Sequence, residues 1–220
     1  MPDFAIPTNW TFQDDAIAAG FERHVREQLP WYDLATGAVA HVARHYIPRD
    51  GLVYDLGAST GNIGRALAPI LDARHARLIP IEAAEEMAAR YDGPQRGRLL
   101  IDDIRNVAYE PFDLAVAFLT LMFVPVADRP KLISSLLGAC RPGGALVVFD
   151  KTEAAAGYAA TVLWRLALAG KVAAAVPAEE IIAKELSLGG VQRPLDPAIL
   201  GPNALEFFRF GEFAGWLIPA

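Results

Sequence analysis

The stretch LVYDLGASTGNIGRAL, Leu52 to Leu67, constrains the fold more than any other part of the chain. Leu52 to Leu56 is a short apolar run with one acid, bounded by Gly51 and Gly57, which is how a buried parallel strand reads. Glycines recur at 57, 61 and 64, and an apolar pattern of helical spacing follows. Strand, glycine turn and helix together open a βαβ unit. In a sheet built from such units the ligand lies beyond the carboxyl ends of the strands, so the turn after the first strand is where a site is expected.

The alternation continues along the chain. Helices are expected at 12 to 28, ended by Pro30, and at 34 to 46, ahead of the turn PRDG. Beyond the glycine loop the pattern predicts helix 62 to 72, strand 77 to 81, helix 83 to 91, strands 98 to 101 and 113 to 118, helix 128 to 139 and strand 144 to 149. A long Ala-rich helix, a second helix at 178 to 186 and a Pro/Gly-rich connection at 188 to 203 come next. The runs LEFFRF and FAGWLI, separated by Gly211 and Glu212, predict a hairpin whose last strand enters the sheet antiparallel. The expected fold is therefore α/β: a doubly wound, mostly parallel, seven-stranded Rossmann-like sheet with N-terminal helices and a C-terminal antiparallel hairpin. A single domain spanning 1 to 220 is expected, with a helical cap at 1 to 50, a ligand-binding core at 52 to 151, a helical insertion at 152 to 203 and the hairpin at 204 to 220.

Composition limits the function classes. Of the 220 residues 53% are hydrophobic and 21% charged, enough apolar matter for a sizeable core. The net charge of −6 supplies no global field for phosphate backbones, and the basic clusters at 41 to 49 and 74 to 77 are short, so nucleic-acid contact is left open but not favoured. Cys140 is the one cysteine, so neither a disulfide framework nor a cysteine zinc site is expected, no metal is expected, and a cytoplasmic location is. The N-terminal MPDFAIPTNW lacks the basic and apolar segments of a signal peptide. The Ala-rich run 154 to 178, interrupted by Arg165 and Lys171, reads as a buried or interface helix, a lid or a homodimer face, and not as a membrane span.

The loop's spacing discriminates between ligands. Gly61 is followed by Asn62 and Ile63, so no P-loop lysine is available for a triphosphate, and G-x-x-x-G-x-x-G is not the dinucleotide fingerprint. Asp55, two residues before Gly57, suits a cationic or amino-bearing ligand better than a pyrophosphate. Glu82 ends the second strand, where a carboxylate accepts from a ribose diol, and Asp102 and Asp103 follow the third, in position for an adenine amine. An adenosine ligand with a cationic amino-acid tail satisfies all three: S-adenosylmethionine (SAM).

These residues resemble the class I SAM-dependent methyltransferases, and more closely the carboxy-SAM synthases of the wobble-uridine tRNA modification pathway. The resemblance runs from NWTFQDDAIAAGFERHVREQLPWYDL through VYDLGASTG, IEAAEEM, DDIRN and LTLMFVPVADRPKLISSLLGACRPGGALVVFDK to EFFRFGEFAGWL. It implies that Tyr32 closes over the methionine end of the ligand, that Gly57, Ala58, Ser59 and Gly61 line it, that Glu82 takes the ribose, and that Asp103 and Ile104 bracket the adenine. Two departures stand out. Phe118 replaces an asparagine ahead of LTLMF, and the region in which the family carries an arginine for the extra carboxylate of carboxy-SAM is shorter here, with Arg193 alone in it.

Methyl transfer from a sulfonium demands alignment and exclusion of water more than acid or base chemistry. Thr120, Asp150 and Lys151 are expected at the pocket mouth after the fourth and fifth strands, with Lys151 as a cation orienting the substrate. The expected activity is methyl transfer from SAM to an unidentified acceptor. The alternatives are synthesis or use of carboxy-SAM, and a SAM-binding scaffold without turnover.

Overall fold

The computed structural model describes residues 6–94, 96–153 and 156–220. Seven strands, β1 (Leu52–Leu56), β2 (Arg77–Glu82), β3 (Leu100–Ile101), β4 (Phe112–Phe118), β5 (Cys140–Lys151), β6 (Leu205–Phe210) and β7 (Phe213–Pro219), form one sheet in the order β3-β2-β1-β4-β5-β7-β6. β1 to β5 run parallel, and β7 lies antiparallel between β5 and β6. The doubly wound sheet with a terminal hairpin is thus as the alternation predicts, with the switch in strand order between β1 and β4.

Alternation within the strands sets the layers. Leu52, Tyr54 and Leu56 of β1 face one side with Ala115, Ala117, Leu146 and Val148, and α5 (Arg129–Ala139) covers them through Leu132, Ile133 and Leu136. Val53, Leu114, Val116 and Val147 face the other side. There α2 (Tyr32–Ala43) contributes Ala35, Val39 and Ala43, and α3 (Asn62–Arg74) contributes Ile63, Leu67 and Leu71. With both faces covered, the strands read as continuous apolar runs. α1 (Asp15–Gln28) begins three residues later than the periodicity predicts, because Oδ1 of Asp14 accepts from the amides of Ala16 and Ile17 and caps it.

Other boundaries move for physical reasons. The helix expected at 83 to 91 shrinks to α4 (Glu85–Ala88): the amides of Arg90 and Tyr91 close on Met87 and Ala88, and Gly93 and Pro94 follow. β5 begins at Cys140, directly after α5, and absorbs Gly143 at φ +84° beside a register shift between Phe112 and Leu114. The Ala-rich helix is α6 (Tyr158–Ala173), and the second helix expected at 178 to 186 is α7 (Ala178–Ser187); Ala175 turns left-handed (φ +62°) between them and Pro177 precedes α7. Residues 154 and 155 of that run lie outside the described residues. α6 has no buried residue, which corrects the buried alternative for this helix. Its inner side rests on the hairpin turn, where Gly211 abuts Leu163 and Ala167, while Val162, Trp164 and Val172 face outward. Among the described residues no helix is long and apolar enough to cross a membrane.

Candidate functional site

The carboxyl end of β1 opens into a pocket. Asp55 leaves the strand buried, and the chain then turns at Gly57 (φ +73°) and Ser59 (φ +50°) before Gly61 (φ +100°) starts α3. The amides of Gly57 and Ala58 donate to the carbonyl of Ile81 at 2.9 and 2.8 Å, fixing the loop to the end of β2. A Cβ on Gly57 would come within 2.7 Å of the Thr120 side chain, so glycine is required there by space as well as by φ. Thr120 in turn donates its hydroxyl to the carbonyl of Leu56 at 2.7 Å.

Asp55, Gly57, Ala58, Ser59, Glu82, Asp103, Ile104, Phe118, Thr120 and Tyr32 all line this one pocket, as does Asp102. Gly61 does not line it: a Cβ there would meet the amide of Gly93 at 2.7 Å, so its place is set by the Tyr91–Gly93 segment packed behind the loop. Lys151 also lies outside the lining. Its Nζ is 3.7 Å from Glu212 and 3.9 Å from Glu185, because β5 stays paired with β7 as far as Lys151 opposite Phe213. Arg193 is exposed and outside the lining, although its neighbour Gln192 and Met122 belong to it. The buried guanidinium of Arg129 donates to the carbonyls of Arg193 and Pro194 at 2.7 and 2.8 Å, and the Arg193 amide donates to Met122 at 2.8 Å, so this segment is pinned as a spacer.

The acids of the floor differ. Burial, reinforced by the nearby Glu82, pushes the Asp55 carboxyl up to about 7 despite a hydrogen bond from the Gly64 amide, and its Oδ2 is buried with no protein partner. Burial also raises Glu82, against amide hydrogen bonds from Ser59 (2.7 Å) and Ala84 (2.9 Å) that hold its carboxylate toward the loop. Asp103 is held below the ordinary range by Arg105, whose guanidinium grips both carboxylate oxygens at 2.7 to 3.1 Å and also pairs with Asp128. Leu119, directly after β4, adopts φ +57° with its amide bonded to Phe149, a left-handed non-glycine residue at the rim.

The cap and the insertion supply another wall, through residues that the sequence reading does not name. Trp10, Phe12, Phe21, His24 and Gln28 come from the N-terminal segment and α1; Lys184 and Leu188 come from α7 and its end; Phe123 follows β4. Trp10 stacks on His24 at 5.8 Å, and Phe12 packs edge-on against Phe123 at 4.9 Å. The interleaved aromatics at 10, 12 and 21 are a signal visible in sequence, whereas nothing local marks Lys184.

The comparisons with known proteins agree with this layout. A methyltransferase-domain family matches residues 53–144. The carboxy-S-adenosyl-L-methionine synthase of Shewanella denitrificans is 30% identical over 213 residues, 93% of this chain and 87% of that protein. The chain belongs to the carboxy-S-adenosyl-L-methionine synthase family. The Staphylococcus epidermidis member is 26% identical over 192 residues, 86% of this chain and 84% of that one. Among solved structures, human N-acetylserotonin methyltransferase in complex with SAM superposes with a TM-score of 0.61 at 11% identity, over 94% of this chain and 57% of that one. The calicheamicin-biosynthesis methyltransferase CalO1 does so with a TM-score of 0.54 at 15% identity, over 85% and 54%. These structural likenesses bear on the fold. As a member of the carboxy-SAM synthase family the chain is a class I SAM-dependent methyltransferase, with SAM as its cofactor.

Proposed function

We propose that the chain makes carboxy-SAM from SAM and a small acid inside the capped pocket. The unpartnered Oδ2 of Asp55 is a fit for a cationic amino group, the amide-braced Glu82 keeps lone pairs for ribose hydroxyls, and Asp102, Asp103 and Ile104 border the adenine end. Tyr32, seated edge-on against Phe118 at 5.4 Å, closes the methionine end. When bound, SAM supplies a sulfonium, which activates the groups attached to it; the chain's own contribution is to hold that centre in a dry, shaped space.

One observation carries the choice of a small second reactant. The cap and the insertion meet over the pocket, with the Trp10 amide donating to the Ser187 carbonyl at 2.9 Å and Nε2 of Gln28 donating to Glu180 at 2.7 Å. A cover of this kind favours a small second reactant over a macromolecular one. The full-length likeness to carboxy-SAM synthases, cap included, supports the same reading.

Plain methyl transfer to a separate acceptor is the second reading. It is favoured by the apolar Phe118 and by the outward Arg193, which contributes no guanidinium to the pocket. Mass spectrometry of the small molecules released on denaturing the purified protein separates the two. Carboxy-SAM in the extract supports the first, SAM or S-adenosylhomocysteine alone supports the second, and an empty extract together with no SAM binding contradicts both.

A further inference from the structure

Asp55 and Glu82 are buried at the floor of the pocket, whereas Asp102, at its adenine end, is exposed. Asp102 follows β3, the two-residue strand that ends the sheet, and it lines both the pocket and a second, open groove of about 340 Å³. Leu100 and Ile101 of β3 form one side of that groove, and Val107 and Ala108 form the other. The adenine end therefore borders on a second space.

Local hydrogen bonding holds this border in place. Oδ1 of Asp102 is folded back on its own backbone, accepting the Asp103 amide at 2.7 Å, and the Asp102 amide donates to the Glu82 carbonyl at 3.1 Å. The Asn106 amide closes the following turn on the Asp103 carbonyl at 2.9 Å, which brings Val107 and Ala108 back alongside β3. Beside this turn Ile101 is 56% exposed, a large apolar side chain left in water next to the adenine end. The groove also carries one cation, Arg98, and one anion, Asp102, so its lining has no net sign and suits a neutral, apolar occupant.

We propose that this groove is a subsite for an apolar substituent on the adenine amine, so that the chain accepts N6-alkylated or N6-benzylated forms of its cofactor as well as SAM itself. This rests on the reading that places adenine beside Asp102, Asp103 and Ile104. The amine of adenine carries two hydrogens, and substitution removes one, so a contact with an acid at this end survives. The substituent passes Asp102 and covers Ile101, Val107 and Ala108, taking their apolar surface out of water. Discrimination between cofactors then falls to the ribose and the amino-acid tail, and N6 is left permissive.

S-Adenosylhomocysteine and its N6-benzyl derivative are the probes, titrated calorimetrically into the full chain stripped of bound ligand. The benzyl compound is expected to bind within about threefold of the parent, or more tightly, because the ring gains apolar contact in the groove. Ala108→Phe, a change at an exposed position, fills the groove; it should weaken the benzyl compound by about tenfold or more and leave the parent unchanged. Ile101→Ser, also at an exposed position, should weaken only the benzyl compound, by about threefold or more. Loss of benzyl binding where the parent binds would overturn the subsite. So would benzyl affinity that both variants leave untouched, which puts the ring in open solvent, or a loss shared equally by the two compounds in both variants. Failure of the parent itself to bind is a different result: it contradicts the cofactor reading, and the subsite falls with it.

Discussion

Thr60, in the loop after β1, donates its hydroxyl hydrogen to Oε1 of Glu22 on α1 at 2.7 Å, so the cap is latched to the loop it covers. The same carboxylate pairs with Arg65 on α3 and, through its other oxygen, with Arg26 at 3.1 Å. The latch joins the glycine loop after β1 to α1.

Glu22→Ala should therefore loosen the cap more than the core. A loss of about 1–2 kcal/mol in stability is expected from one part-buried charge-assisted cluster, with a larger effect on ligand dissociation rate than on association. Stopped-flow release of SAM and a thermal melt check the two. Burial alone would raise the Glu22 carboxyl, but hydrogen bonds from Thr60 and Arg65 outweigh it and the net shift is downward. Its contribution is thus present above the ordinary glutamate range and lost as pH falls through the lowered folded value.

Asp55 has the opposite sign. With its carboxyl pushed up to about 7, the ligand-free protein is favoured by the protonated form, and this contribution is lost as pH rises from the ordinary aspartate range through about 7. A cationic amino group favours the ionised form, so SAM should bind more tightly as pH rises from about 6 to 8, releasing a proton. Asp55→Asn should weaken SAM by about 10- to 100-fold, remove that pH dependence and stabilise the ligand-free protein at pH 8. Calorimetric titration in two buffers of different ionisation enthalpy measures all of it except the last, which a melt supplies.

Lys151→Ala should leave SAM affinity unchanged and turnover within about threefold, because its ammonium lies among Glu185 and Glu212 rather than in the pocket lining. Steady-state kinetics test this; a loss of turnover at unchanged SAM affinity would restore the orienting role expected from its position at the end of β5.

Gly61→Ala should damage the site indirectly. At φ +100°, with the Gly93 amide 2.7 Å from the new Cβ, both strain and collision act, and about 2–4 kcal/mol of destabilisation is expected. Denaturant melts give the figure, and Gly143→Ala, where φ is also positive but the space is open, is the control that isolates collision from strain.

What was legible in the sequence divides along contact distance. Asp55, Gly57 and Glu82 could be placed because each sits at the end of a strand or in the turn directly after it, and strand periodicity fixes those positions. The resemblance puts Gly61 against the ligand, and nothing in the loop itself shows that Tyr91–Gly93 packs behind it. Its position at the end of β5 puts Lys151 at the mouth, since the sequence does not show how far β5 stays zipped to β7. Lys184 and Gln28 were out of reach for a stronger reason: their wall exists only because α1 and α7 meet, through a Gln28–Glu180 contact spanning 152 residues. Local propensity carries no record of such a pairing.

The central claim is that this capped pocket takes SAM at its acidic end with Asp55 as the anchor. Its most direct test is calorimetric titration of SAM into ligand-stripped protein and into Asp55→Asn at pH 7.5. Saturable binding at one site per chain, weakened by about 10- to 100-fold in the variant, is the predicted result. Binding that Asp55→Asn leaves untouched, or no binding to the unaltered chain, would contradict it.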